Sequence, residues 1–122
     1  MEMNQYIELI KSSEINDDLV KKFEDHYGTT LPESVRHIVS VSLDDFFLGE
    51  KCRILSVKEI LDTETFTGID FTNLNMFPLA DCRDDDYIVY NFETGKFEMY
   101  NIYDEVSFRE YENMEELLLT LN

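Results

Sequence analysis

Apolar residues in the first third of the chain recur at intervals of three and four, the period of a helix with one buried face. In INDDLVKKFEDHYG, Leu19, Val20, Phe23 and Tyr27 share such a face. Asn16 can cap its start, Asp17 and Asp18 sit at the positive end of the helix dipole, and Gly28 suits the left-handed residue that ends a helix. Pro32 falls at the first position of a second long helix, whose buried stripe is Val35, Ile38 and Val39. Tyr6, Ile7 and Ile10 mark a less regular helix ahead of both. The helical period is then lost. CRIL predicts a short strand from Arg53 to Leu55, and SVKEIL a brief helix with Ser56 and Glu59 at capping-box spacing. The polar, Gly-containing stretch 62–75 predicts a connecting loop, and MFPLA a strand in which Pro78 marks an edge or a bulge. DYIVYNF and KFEMYNIY are aromatic and β-branched, and the ETG between them predicts a hairpin with Gly95 at positive φ. VSF adds a strand. Asn113 and Glu116 cap a closing helix that turns Met114, Leu117, Leu118 and Leu121 inward. Helices first, strands next and one helix last predict an α+β fold: a single domain over residues 1–122, with an antiparallel-rich sheet against which the N-terminal helices and a C-terminal helix pack.

Charge changes the picture. The chain carries 27 acidic and 10 basic residues, a formal net charge of −17. Such imbalance accompanies disorder when apolar residues are scarce, but here 43% of residues are hydrophobic, with four Gly and two Pro, which favours a folded acidic domain. The acids are denser late in the chain: residues 81–122 hold 12 acids and 3 bases, against 15 and 7 before them. No basic patch is present to neutralise phosphates, so nucleic acid is not expected as a direct partner. The opening MEMNQYIELIKSSE lacks the basic start and apolar run of a signal peptide. No run approaches the roughly 18 apolar residues of a membrane span. A cytoplasmic protein without membrane attachment is expected. Cys52 and Cys82 lie far apart without CxxC spacing; in a reducing cytosol they read as two reduced thiols, and spacing gives a disulfide no support.

The stretch ADCRDDDYIVYNFETGKFEMY poses the functional question, because Asp81, Asp84, Asp85 and Asp86 crowd the entrance of a strand. A calcium loop places Gly sixth and Glu twelfth, whereas counting from Asp81 gives Asp86 and Phe92. Neighbouring aspartates entering a strand also point different ways, so no metal site is expected there. Zinc ligands would have to come from His26, His37, Cys52 and Cys82, none at short spacing, and both histidines are expected at the surface. A Cys–His nucleophilic pair lacks a glycine elbow. A carboxylate pair for glycoside cleavage has no specificity among so many acids. No P-loop, dinucleotide or kinase motif is present, and neither enzyme activity nor a cofactor is expected. What remains is electrostatic: dense negative charge costs folding stability and has a use in attracting a basic protein partner, with a coat kept for solubility alone as the alternative. Asp81, Asp84, Asp85, Asp86, Glu93, Glu98, Asp104 and Glu105 are the candidate partner-binding residues, with Tyr90, Tyr100 and Tyr103 as aromatic candidates beside them.

FEDHYGTTLPESV resembles the opening of the SUKH superfamily, which includes fungal cell-wall-synthesis regulators and many bacterial toxin-immunity proteins: Phe23, Glu24, Gly28, Leu31 and Pro32 occupy the positions of its Phe-Glu, Gly and Leu-Pro. MFPLADCRDDDYIVYNFETGK is similar to the family's second block, and YENMEELLLTL to its terminal helix. The chain departs from the pattern at VSVSLDDFF, where the family often carries Asn-Gly, and at Asp85, where a Gly often precedes the Asp opening the central strand. The resemblance implies a non-enzymatic cytoplasmic binding domain: an immunity protein that blocks a basic toxin such as a nuclease, or alternatively a regulatory or scaffold domain of the fungal type.

Overall fold

A computed structural model of the protein describes residues 1–42, 46–50 and 52–121. Three helices open the chain. The first, α1 (Met3–Ser12), starts with a capping box in which the Glu2 N–H donates to Gln5 Oε1 at 3.0 Å. In α2 (Asp17–Tyr27), Asn16 accepts the Leu19 N–H at 3.2 Å and Gly28, at φ 66°, ends the helix. Pro32 is the N-cap of α3 (Glu33–Ser40), one residue outside the predicted position; its ring satisfies either place, since neither requires an N–H. Leu19, Val20, Phe23, Tyr27, Val35, Ile38 and Val39 are all buried, as the helical period predicts.

The sheet has six antiparallel strands arranged in sequence order: β1 (Phe46–Leu48), β2 (Cys52–Ile54), β3 (Met76–Cys82), β4 (Asp86–Asn91), β5 (Lys96–Asn101) and β6 (Val106–Tyr111). β1 has no counterpart in the sequence prediction, and positions 43–45 within VSVSLDDFF lie outside the described residues. Pro78 is not at an edge. It lies in the third strand of six, and a bulge between Pro78 and Ala80 accommodates its missing N–H. The chain closes with α6 (Met114–Leu121), where Asn113 Oδ1 accepts the Glu116 N–H at 2.8 Å.

Between β2 and β3 the predicted loop is largely helical. After α4 (Val57–Leu61), with its Ser56–Glu59 capping box, come α5 (Thr63–Thr67) and a 3₁₀ turn over Phe71–Leu74. Each has a local cause: Gly68, at φ 77°, stops α5, and the Asp70 carboxylate accepts the Thr72 N–H to start the 3₁₀ turn. On one side of the sheet Phe77 meets Phe23, Tyr27, Tyr90 and Phe92 at ring-centroid distances from 4.8 to 6.4 Å. On the other, Phe71 of the 3₁₀ turn stands edge-on to Tyr100 at 5.8 Å. Tyr27 also ties α2 to α4, donating its hydroxyl to the Ile60 carbonyl at 2.5 Å. Among the described residues no helix is long and apolar enough to cross a membrane.

Candidate functional site

The aspartate cluster is first a turn. Arg83 to Asp86 close the β3–β4 hairpin, with the Asp86 N–H donating to the Arg83 carbonyl at 3.2 Å. The central residues Asp84 and Asp85 have φ values of 63° and 64°, as a type I′ turn demands. Asp tolerates this left-handed region better than most residues because its short polar side chain can bond locally.

Antiparallel meandering sets alternate turns at the same end of the sheet, so the β1–β2, β3–β4 and β5–β6 turns share one end. Asn101 joins two of them: its Nδ2 donates to the Asp84 carbonyl at 3.1 Å and to Asp86 Oδ1 at 2.9 Å, while its Oδ1 accepts the Asp104 N–H at 2.8 Å. The Ile102 N–H adds a bond to the Asp85 carbonyl at 2.9 Å. Asp84, Asp85, Asp86 and Asp104 are thereby tied together, and Glu105 follows Asp104 in the same turn. Glu105 is itself at positive φ, 55°. Among the described residues no lysine or arginine forms an ion pair with any of these five acids. Tyr103 projects from the same end with 83% of its surface exposed.

The other three candidates are placed differently. Asp81 is half-buried near this end and is drawn into an internal network. Arg53 grips Glu59 with two bonds of 2.8 and 2.9 Å and reaches Asp81 only at 3.8 Å. The tighter partner takes most of the benefit. The Arg53 hydrogen bonds hold Glu59 below the usual carboxylate range, whereas burial raises Asp81 despite the guanidinium. Glu93 lies at the opposite end of the sheet, in the β4–β5 turn, accepting Asn75 Nδ2 at 3.0 Å; a six-residue strand, about 17–20 Å, separates it from the cluster. Glu98 is not a surface acid at all. It is 5% exposed and accepts Asn91 Nδ2 at 3.0 Å and the Ser107 hydroxyl at 2.5 Å. Its carboxylate is taken up by half-buried donors on the neighbouring strands and does not face a partner.

Tyr90 and Tyr100 are also buried, so of the three aromatic candidates Tyr103 alone is exposed. Two exposed apolar residues that sequence reasoning passed over, Val106 and Phe108, lie on β6 directly after Glu105. VSF marks a strand by composition, but nothing in it reveals that the strand is the outermost of the sheet. Of the histidines, His26 is exposed, as expected, while His37 is half-buried with Nδ1 3.0 Å from the Ser13 carbonyl oxygen. Among the described residues no group of three or more His, Cys, Asp or Glu side chains converges as metal ligands would.

Fold and site together define an α+β protein whose meandering sheet ends in an acidic, tyrosine-tipped rim. No family model, curated protein or solved structure matches the chain.

Proposed function

We propose that this is a non-enzymatic binding protein of the SUKH type, an immunity protein that neutralises a basic toxin domain, such as a nuclease, by docking the acidic end of its sheet onto the toxin's cationic surface. One observation carries the proposal: Asp84, Asp85, Asp86, Asp104 and Glu105 are gathered at one end, where Asn101 bridges the two turns that carry them, and form no ion pair with a lysine or arginine among the described residues. Uncompensated like charges repel one another, and a cationic partner relieves that cost on binding. A nuclease must present positive charge to phosphates, which is the complement this rim requires. Tyr103, Val106 and Phe108 supply the apolar and aromatic contacts that interfaces use among charges. At Asp85, where the chain departs from the glycine of the SUKH pattern, φ is 64°, a conformation glycine adopts freely.

The test couples protection with kinetics. Asp84→Asn, Asp85→Asn, Asp104→Asn and Glu105→Gln, combined, remove charge while keeping side chains that suit the turns. Against a toxic basic domain encoded beside this gene, the wild-type chain is expected to rescue growth and bind at a salt-sensitive rate. The quadruple variant, folded by circular dichroism, is expected to associate at least tenfold more slowly and to lose rescue. Unchanged rescue and association would overturn the proposal. Several weak partners with no rescue would favour a regulatory or scaffold domain instead.

A further inference from the structure

Cys52 and Cys82 are register partners on the adjacent strands β2 and β3, and their Sγ atoms lie 2.6 Å apart. The ladder explains the approach. The Leu55 N–H donates to the Leu79 carbonyl at 3.0 Å, which makes these two facing residues a hydrogen-bonded pair. Alternation then makes Arg53 and Asp81 another such pair, and Cys52 and Cys82 a non-hydrogen-bonded one. That is the position at which facing side chains come closest, with Cα atoms about 4.5 Å apart. A disulfide spans Cα separations of about 4.4–6.8 Å, a range that includes the spacing of such a pair. Two grooves of about 200 Å³ each are lined by both cysteines, one together with Glu50, Arg53 and Asp81, the other with Asp84, Asp86 and Met99, and with Arg83 on both.

We infer that Cys52 and Cys82 form a reversible oxidation site, a thiol pair that closes to a cross-strand disulfide on reaction with a small-molecule disulfide. Cys82 is half-buried and Cys52 only 3% exposed, so Cys82 reacts first. Its thiolate attacks one sulfur of the reagent and expels a thiol, leaving a mixed disulfide. The Cys52 thiolate then attacks the Cys82 sulfur and expels the second thiol. The protein loses two electrons and two protons, and the reagent's single S–S bond becomes two thiols. The Cys52 thiol and burial raise the Cys82 thiol well above its ordinary value, so the exchange is slow and is followed over hours. The inference does not rest on the toxin-binding proposal, although Asp84 and Asp86 of the rim border one of the grooves.

The test uses the purified chain and oxidised glutathione at pH 8.5. Titratable thiols are expected to fall from two to none, with a mass loss of two hydrogens, no cross-linking between chains and full reversal by dithiothreitol. Closing a loop across 30 positions is expected to raise the melting temperature by about 10 °C. Cys52→Ser is expected to stop at the mixed disulfide, retaining one glutathione on Cys82 without that rise. Two glutathiones retained on the wild-type chain would overturn the inference. So would thiols that stay unreacted in the folded protein while the chain unfolded in guanidinium reacts.

Discussion

Two tyrosine hydroxyls, alike in sequence context, have opposite consequences for stability. Tyr27 and Tyr6 both lie on apolar helix faces, and burial raises both phenols. The Tyr27 hydroxyl has the Ile60 carbonyl as acceptor; the Tyr6 hydroxyl is buried without a hydrogen-bond partner among the described residues. A buried polar group left unsatisfied costs about 1–3 kcal/mol, and a satisfied one contributes about 1 kcal/mol. Tyr6→Phe is therefore expected to stabilise the fold by about 1 kcal/mol and Tyr27→Phe to destabilise it by a similar amount. Urea unfolding of the two variants checks this, and shifts of the same sign would contradict the assignment. At this scale the sequence was legible in type but not in surroundings. Helical spacing puts both rings inside, yet nothing in it says that Ile60, far along the chain, will offer its carbonyl to one of them. Glu98 is the same lesson for an acid. Its place in a strand could be read, but the donors Asn91 and Ser107 that bury it come from the two neighbouring strands.

Elements with long periodic signals are where prediction and structure agree: α1, α2, α3 and α6, and the β4–β5 hairpin. Of the short elements, β2 and α4 were legible from CRIL and the Ser56–Glu59 spacing, and two others escaped. β1 is three residues long, and TETFT in α5 has no apolar stripe to announce a helix. That second omission matters, because the segment carrying α5 and the 3₁₀ turn brings Phe71 onto Tyr100 and covers part of the sheet's second face. An alternating strand is expected to bury one face and wet the other; β4 and β5 bury both across their central residues. The turns were legible as turns, though not as the reason for the aspartates. Asp85 at φ 64° carries backbone strain that glycine lacks. Asp85→Gly is expected to hold or raise stability, by up to about 1 kcal/mol, and Asp85→Val to lower it by at least as much. Thermal melts of the two variants measure the difference. A glycine variant less stable than the valine one would show that the turn is held by something other than its backbone geometry.

The whole molecule is governed by its charge of −17. Composition alone made that plain, but not its distribution: Arg53 is engaged by Glu59 and Asp81, and Lys96 by Glu110 and Glu112, while Arg83, in the β3–β4 turn itself, forms no ion pair with the rim acids among the described residues. Self-repulsion of this size opposes compaction, and added salt screens it, the Debye length falling from about 10 Å at 0.1 M to about 3 Å at 1 M. The melting temperature is expected to rise steadily with sodium chloride over that range. A fall would mean that attractive ion pairs, not repulsion, dominate the electrostatics of the fold. The strand order has its own consequence, for assembly. A sheet whose spatial neighbours are also sequence neighbours can zip up hairpin by hairpin, each closure spanning a few residues and costing little chain entropy. One junction breaks the rule. The strands β2 and β3 are separated by α4, α5 and the 3₁₀ turn, so pairing them closes a longer loop and costs more chain entropy than any of the hairpins.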